Sequence, residues 1–145
     1  MKQFALATNP PRLGFGLMRL PEKDGQIDIE LTKAMADRFI EAGYSYFDTA
    51  YGYMEGKSEG ALKQAVVDRY PRDKFTVATK LPVWLVKDKA DPEKLIQTQL
   101  ERTGAGYIDY YMLHGLNQER LQLLDDCDVW AFLSEQKRIG RAKHI

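Results

Sequence analysis

Cysteine is almost absent from these 145 residues: Cys127 stands alone, so no internal disulfide can form, and no Cys/His spacing builds a structural zinc site. An excess of one charge is also missing. Lys plus Arg and Asp plus Glu both total 21, which leaves nothing to draw the chain to nucleic acid or an anionic membrane. No run approaches the roughly 20 apolar residues that cross a bilayer. The stretch Met1 to Arg12 is broken by Lys2, Asn9, two prolines and Arg12, so it lacks the unbroken apolar core of a secretion signal. These absences, with the thiol-poor composition, predict a cytoplasmic protein. Ser/Gly-rich linkers and low-complexity blocks are missing too, so residues 1–145 are expected to form part of a single domain. What is present is an ordinary globular composition, 44% apolar, 29% charged and 11% aromatic.

Short apolar runs alternate with helical periodicity. Arg12 to Leu20 reads as a strand and its following loop. Asp28 then caps a helix whose Leu31, Ala34, Met35, Phe39 and Ala42 are expected to face inward, with Gly43 at its end. Tyr44 to Asp48 is a second strand. Ser58 opens a helix with Leu62, Ala65 and Val66 inward, and Phe75 to Lys80 is a third strand. Asp91 caps the next helix, with Pro92 in its first turn, Leu95, Ile96 and Leu100 inside and Gly104 at its end. Tyr107 to Leu113 is a fourth strand, and a last helix runs from about Asp128 to Arg138.

Strands that are apolar runs rather than alternating ones, each followed by a helix, predict right-handed βαβ units and a parallel sheet covered by helices. The strand-end residues Asp48, Lys80 and His114 recur at intervals of 32 and 34. Eight units of about 33 residues would reach the ~250 residues of a (β/α)8 barrel. The expected fold is therefore α/β, of the (β/α)8 TIM-barrel type, with about the first four βα units in this chain. An open doubly wound sheet is the competing arrangement. Against it, Gly14 and Gly16 are followed by Leu17, Met18 and Arg19, with no third glycine to complete a dinucleotide fingerprint.

Three apolar strands end in side chains capable of proton chemistry, Asp48, Lys80 and His114, and in a parallel barrel such ends converge on one face. Each alone has an ordinary structural explanation: a turn cap, a solvated strand end, a satisfied buried histidine. Together they form a constellation. A carboxylate keeps a neighbouring ammonium charged, and a charged ammonium favours ionisation of a phenol beside it. A tyrosine is therefore wanted, and the loop after Asp48 offers Tyr51 and Tyr53. Such a tyrosine donates a proton to a developing alkoxide while a histidine orients the carbonyl.

The segment FDTAYGYMEGKSEGAL, with TKLP at 79–82 and YYMLHGLN at 110–117, resembles the aldo-keto reductase family. The family pattern D-T-A-x-x-Y-G-x-G-x-S-E is met in register by Asp48, Thr49, Ala50, Tyr53, Ser58 and Glu59, which selects Tyr53 over Tyr51. LGFGLMRLP and the closing KRIGRAKHI, which normally leads into a fifth strand, are also family-like. The resemblance implies a catalytic tetrad of Asp48, Tyr53, Lys80 and His114, and NADPH-dependent reduction of an aldehyde or ketone to an alcohol. It places Gly16, Leu17, Met18 and Asp48 near the nicotinamide ribose. Met18, Trp84 and Asn117 fall on loops at the same face and are expected to wall the substrate pocket; for Trp84, covering the rim of the core is an equal alternative.

Two departures stand out. Met54 occupies the position where the family usually has glycine. In the family, most contacts to the cofactor's amide and phosphates come from loops after the fifth to eighth strands, beyond this chain. A half barrel whose first and fourth strands are open edges is expected to be a fragment, to self-associate or to pair with a missing C-terminal half. Two readings follow: a reductase acting on a small carbonyl substrate, or an incompetent half barrel serving as an interaction or regulatory subunit. Quenching of Trp84 and Trp130 emission by NADPH separates them.

Overall fold

The computed structural model describes residues 13–145, so Arg12, the expected start of the first strand, and the stretch before it lie outside the described residues. Strand β1 (Gly14–Gly16) leads into a two-stranded hairpin, β2 (Glu22–Lys23) and β3 (Gln26–Ile27), and then helix α1 (Ile29–Glu41). Next come β4 (Tyr46–Asp48), α2 (Ser58–Leu62, prolonged by a wider turn to Val67), β5 (Thr76–Pro82) and α3 (Asp91–Thr103). The chain continues through β6 (Ile108–His114), α4 (Gln118–Asp126), α5 (Val129–Ile139) and β7 (Ala142–His144).

Strands β1, β4, β5, β6 and β7 lie side by side in chain order, every pair parallel. Sequential order with a helical crossover between each pair is the winding of a (β/α)8 barrel. The sheet has five strands rather than four, so its open edges are β1 and β7 instead of the first and fourth strands. Among the described residues no helix is long and apolar enough to cross a membrane.

The register fixes what shares a face. Asp48 pairs with Ala78, Lys80 with Met112 and Pro82 with His114. Alternation along a strand puts residues two apart on the same side, so Asp48, Lys80 and His114 share a face. The opposite face is covered by helices and splits into two packed clusters. One gathers Phe39, Phe47, Leu62, Val66 and Val77 between sheet, α1 and α2; the other gathers Leu81, Ile96, Tyr111 and Leu133 beneath α3 and α5.

Several expectations are corrected. Of the five residues expected on the inner face of α1, only Phe39 is buried; Leu31 and Met35 are 47% and 40% exposed, and Thr32, Ala36 and Phe39 make the inner stripe. Phe39 decides the rotation. It meets Phe15, Tyr44 and Phe47 with ring centroids 5.2–5.6 Å apart, and positions three and seven residues before it follow inward. Asp28 does cap α1, accepting from the Leu31 amide at 2.9 Å. Asp91 does not cap α3: its carboxylate accepts from the amides of Lys87 and Asp88 and orders the loop before the helix. Gly104 ends α3 in the left-handed region, as expected.

Candidate active site

Strand β4 ends at Asp48, and β5 carries Lys80 two residues further along the same face. That stagger lets the Lys80 side chain reach back. Its Nζ donates to Asp48 Oδ1 at 2.7 Å and to the Thr49 carbonyl at 2.8 Å. The same Nζ lies 4.8 Å from the centre of the Tyr53 ring. His114, last residue of β6, sets its imidazole edge-on to Tyr53 at 5.5 Å and 89°. The structure thus brings together all four residues of the expected tetrad.

Tyr53 owes its place to an unusual turn. The residues after it, Met54, Glu55 and Gly56, all have positive φ, 51°, 56° and 82°. Such a run throws the chain outward from the end of β4 and back into α2. Position 54 lies in the region that glycine adopts freely, which explains the family's usual residue there; Met54 is held in it by packing against the first core cluster. The turn is anchored below by fully buried polar groups. Thr49 Oγ1 and Ser58 Oγ lie 2.7 Å apart, and Ser58 donates to the Leu17 carbonyl at 2.9 Å.

Burial lowers the pKa of His114 from its ordinary value, the Lys80 ammonium lowers it further, and the Asp48 carboxylate opposes both. The neutral imidazole is therefore favoured. His114 Nδ1 is buried with no hydrogen-bond partner.

The other expected site residues divide. Trp84, 40% exposed, stands edge-on to His114 at 5.0 Å. A Cβ built on Gly52 would lie 3.6 Å from its indole and one on Gly115 3.3 Å, so the loops after β4, β5 and β6 meet at this ring. Met18 is exposed, and no described residue lies within 4 Å of where a Gly16 side chain would begin. Leu17 has its side chain buried in the core, while its N–H donates to the Asp48 carbonyl and its carbonyl accepts from Ser58, so it ties the loops after β1 and β4 together. Asn117 caps α4, its Oδ1 accepting from the Arg120 amide at 3.1 Å, a role the sequence reading did not assign.

Behind the site lies a buried layer that sequence reasoning missed. Glu59, wholly inaccessible, accepts from Thr79 Oγ1 at 2.7 Å and Gln99 Nε2 at 2.8 Å, while the Tyr111 hydroxyl donates to Gln99 Oε1 at 2.8 Å. Glu59 was visible only as part of the S-E motif. Its partners lie on β5 and α3, and no local spacing links them.

The parallel winding is that of a (β/α)8 barrel, and the comparisons give the class of protein. Residues 12–145 match the Aldo/keto reductase family, and the chain belongs to it. Among curated relatives, the D-galacturonate reductase of Fragaria ananassa is 30% identical over 93% of this chain and 46% of its own length. The methylglyoxal reductase DkgA of Yersinia pestis is 32% identical over 72% of this chain and 33% of its own. Among solved structures, an aldo-keto reductase from Klebsiella pneumoniae in complex with NADPH superposes with a TM-score of 0.74 at 25% identity, covering 92% of this chain and 44% of that one. The holo form of an aldo-keto reductase from Bacillus halodurans gives 0.71 at 29% identity, covering 91% and 44%. This chain spans about half or less of the length of these relatives.

Proposed function

We propose that this chain carries the catalytic face of a reductase that converts a small aldehyde or ketone to an alcohol at the expense of NADPH. One observation carries the reading: the Lys80 ammonium, fixed by Asp48, lies over the Tyr53 ring while His114 closes on the same tyrosine from the side. The Yersinia relative is named for reducing methylglyoxal and the Klebsiella neighbour holds NADPH, which supports the substrate class and the cofactor.

The residues at the ring end of such a cofactor fit it. Gly16 leaves open space beside Asp48, whose side chain is partly accessible, and Met18 is exposed at the following loop. When bound, the reduced nicotinamide supplies the hydride. Everything else falls to the chain. A neutral His114 donates a hydrogen bond to the carbonyl oxygen and fixes its direction. Tyr53 gives its phenolic proton to that oxygen as negative charge develops there. The Lys80 ammonium beside the phenol stabilises the phenolate left behind, and Asp48 keeps Lys80 charged and aimed. Trp84, edge-on to His114, shields one side of the imidazole.

Tyr53→Phe tests the assignment. The turnover number for carbonyl reduction falls by about 100-fold or more, the contribution of a positioned general acid, with the melting temperature unchanged. Reduction at close to the wild-type rate overturns it.

A further inference from the structure

Arg102, in the last turn of α3, belongs to none of the roles above. Its guanidinium carbon lies 4.3 Å from the centre of the Tyr51 ring, and its Nη1 lies 3.5 Å from the Tyr51 carbonyl. The same Nη1 stands 3.7 Å from Glu59 Oε2, a wholly buried oxygen with no hydrogen bond of its own. The same Nη1 also lies beside Gly56, where an added Cβ would be 3.8 Å from it and 3.6 Å from the Tyr51 carbonyl. One guanidinium thus touches Tyr51, at the start of the turn that presents Tyr53, and stands close to Gly56 at its end.

The anchor on which Arg102 rests also reaches the other half of the tetrad. Glu59 Oε1 accepts from Gln99 Nε2, and Gln99 Nε2 lies 3.1 Å from the Lys80 carbonyl. The turn bearing Tyr53 and the strand bearing Lys80 therefore share one buried fixture. The turn contains three consecutive positive-φ residues, and this fixture adds to the Thr49–Ser58 anchor and the packing of Met54 that hold it above the sheet.

We propose that Arg102, seated on Glu59, is a positioning residue for the reaction, clamping Tyr51 so that the Tyr53 hydroxyl is held within reach of Lys80 and His114. The proposal rests on the reading of Tyr53 as the proton donor. Arg102 acts through Tyr51 and touches no reacting atom. Its planar guanidinium lies over the Tyr51 ring while Nη1 faces both the Tyr51 carbonyl and Glu59, a combination that a lysine ammonium does not reproduce.

Trp84 reports on the clamp because Gly52, in the same turn, packs against its indole. In a Trp130→Phe background only Trp84 emits. Arg102→Met is expected to raise acrylamide quenching of Trp84 and to lower kcat by about 100-fold, as a misplacement on the order of 1 Å does, with KM little changed. Arg102→Lys is expected to regain melting temperature, since it restores a cation beside Glu59, but not kcat or the quenching value. Unchanged quenching in Arg102→Met, or full recovery of kcat by Arg102→Lys, overturns the proposal. If Arg102→Met does not fold, Tyr51→Leu removes the stacked ring and leaves Arg102 on Glu59, and it is expected to raise the quenching in the same way. Tyr53→Phe, run alongside, separates the two claims: active Tyr53→Phe sinks the proton-donor reading, whereas the quenching of Trp84 judges the clamp on its own.

Discussion

At His114 the surroundings disfavour the charged imidazole, through burial first and the Lys80 ammonium second. The ring is expected to titrate below its ordinary 6.5 by NMR, and removing the ammonium with Lys80→Met is expected to bring the midpoint back up; a midpoint at or above 6.5 contradicts the neutral donor. The folded state resists the proton, so the stability His114 contributes is present above 6.5 and is lost as pH falls through its depressed folded value. At this scale much of the site was legible. Asp48, Lys80 and His114 each interrupt an apolar run at a strand end, and a fixed motif spacing chose Tyr53. Arg102 and Glu59 were not, because their contact joins two helices and leaves no pattern along the chain. Leu17 turns its side chain into the core between the exposed Gly16 and Met18, a burial that its short glycine-bounded run does not signal.

Elements were legible where the signal was local. The helix starting at Asp28 and the glycine end of α3 followed from caps alone. The β2–β3 hairpin also had a local signal, the Asp24-Gly25 pair, both with positive φ, between two short extended segments. Helix α4 had one in Asn117 followed by Glu119 in the first turn. The inner face of α1 had none, since apolar residues lie on two sides of that helix and only tertiary contact with Phe15 and Phe47 selects one. The turn after Tyr53 makes a sharper prediction. Glu55 is exposed and left-handed, at a cost of about 1–2 kcal/mol for a residue other than glycine. Allowing for the greater chain entropy of glycine, Glu55→Gly is expected to stabilise the protein by about 0.5–1 kcal/mol in urea unfolding. Gln97→Gly, at an exposed position in the middle of α3, is expected to destabilise by about 1 kcal/mol. Loss of stability in Glu55→Gly contradicts the description of the turn.

For the whole molecule, the parallel winding was legible from the strand–helix alternation, whereas its extent was not. The three residues that form β7 are too few to show a strand pattern by themselves, and they join the sheet because Ala142 and His144 pair with Ile108 and Tyr110. The sheet and its helices are cemented by the layer around Glu59, whose burial raises its pKa against the pull of its hydrogen bonds and of Arg102. A raised carboxylate favours the fold while protonated. The stability Glu59 contributes is therefore present below its ordinary 4.5 and lost as pH rises through its higher folded value. Glu59→Gln keeps an acceptor for Thr79 and Gln99 and removes the titration. Its melting temperature relative to wild type is expected to climb as pH rises above 4.5; a difference that stays flat, or moves towards wild type, contradicts this.

The proposed reduction of a carbonyl at this face takes its proton from Tyr53. The most direct measurement supplies a small aldehyde and NADPH carrying deuterium at the transferable nicotinamide position, and weighs the alcohol formed. The wild-type protein is expected to give an alcohol bearing one carbon-bound deuterium, and Tyr53→Phe a yield at least about 100-fold lower in the same time. No labelled alcohol from the wild type, or equal labelling from Tyr53→Phe, contradicts it.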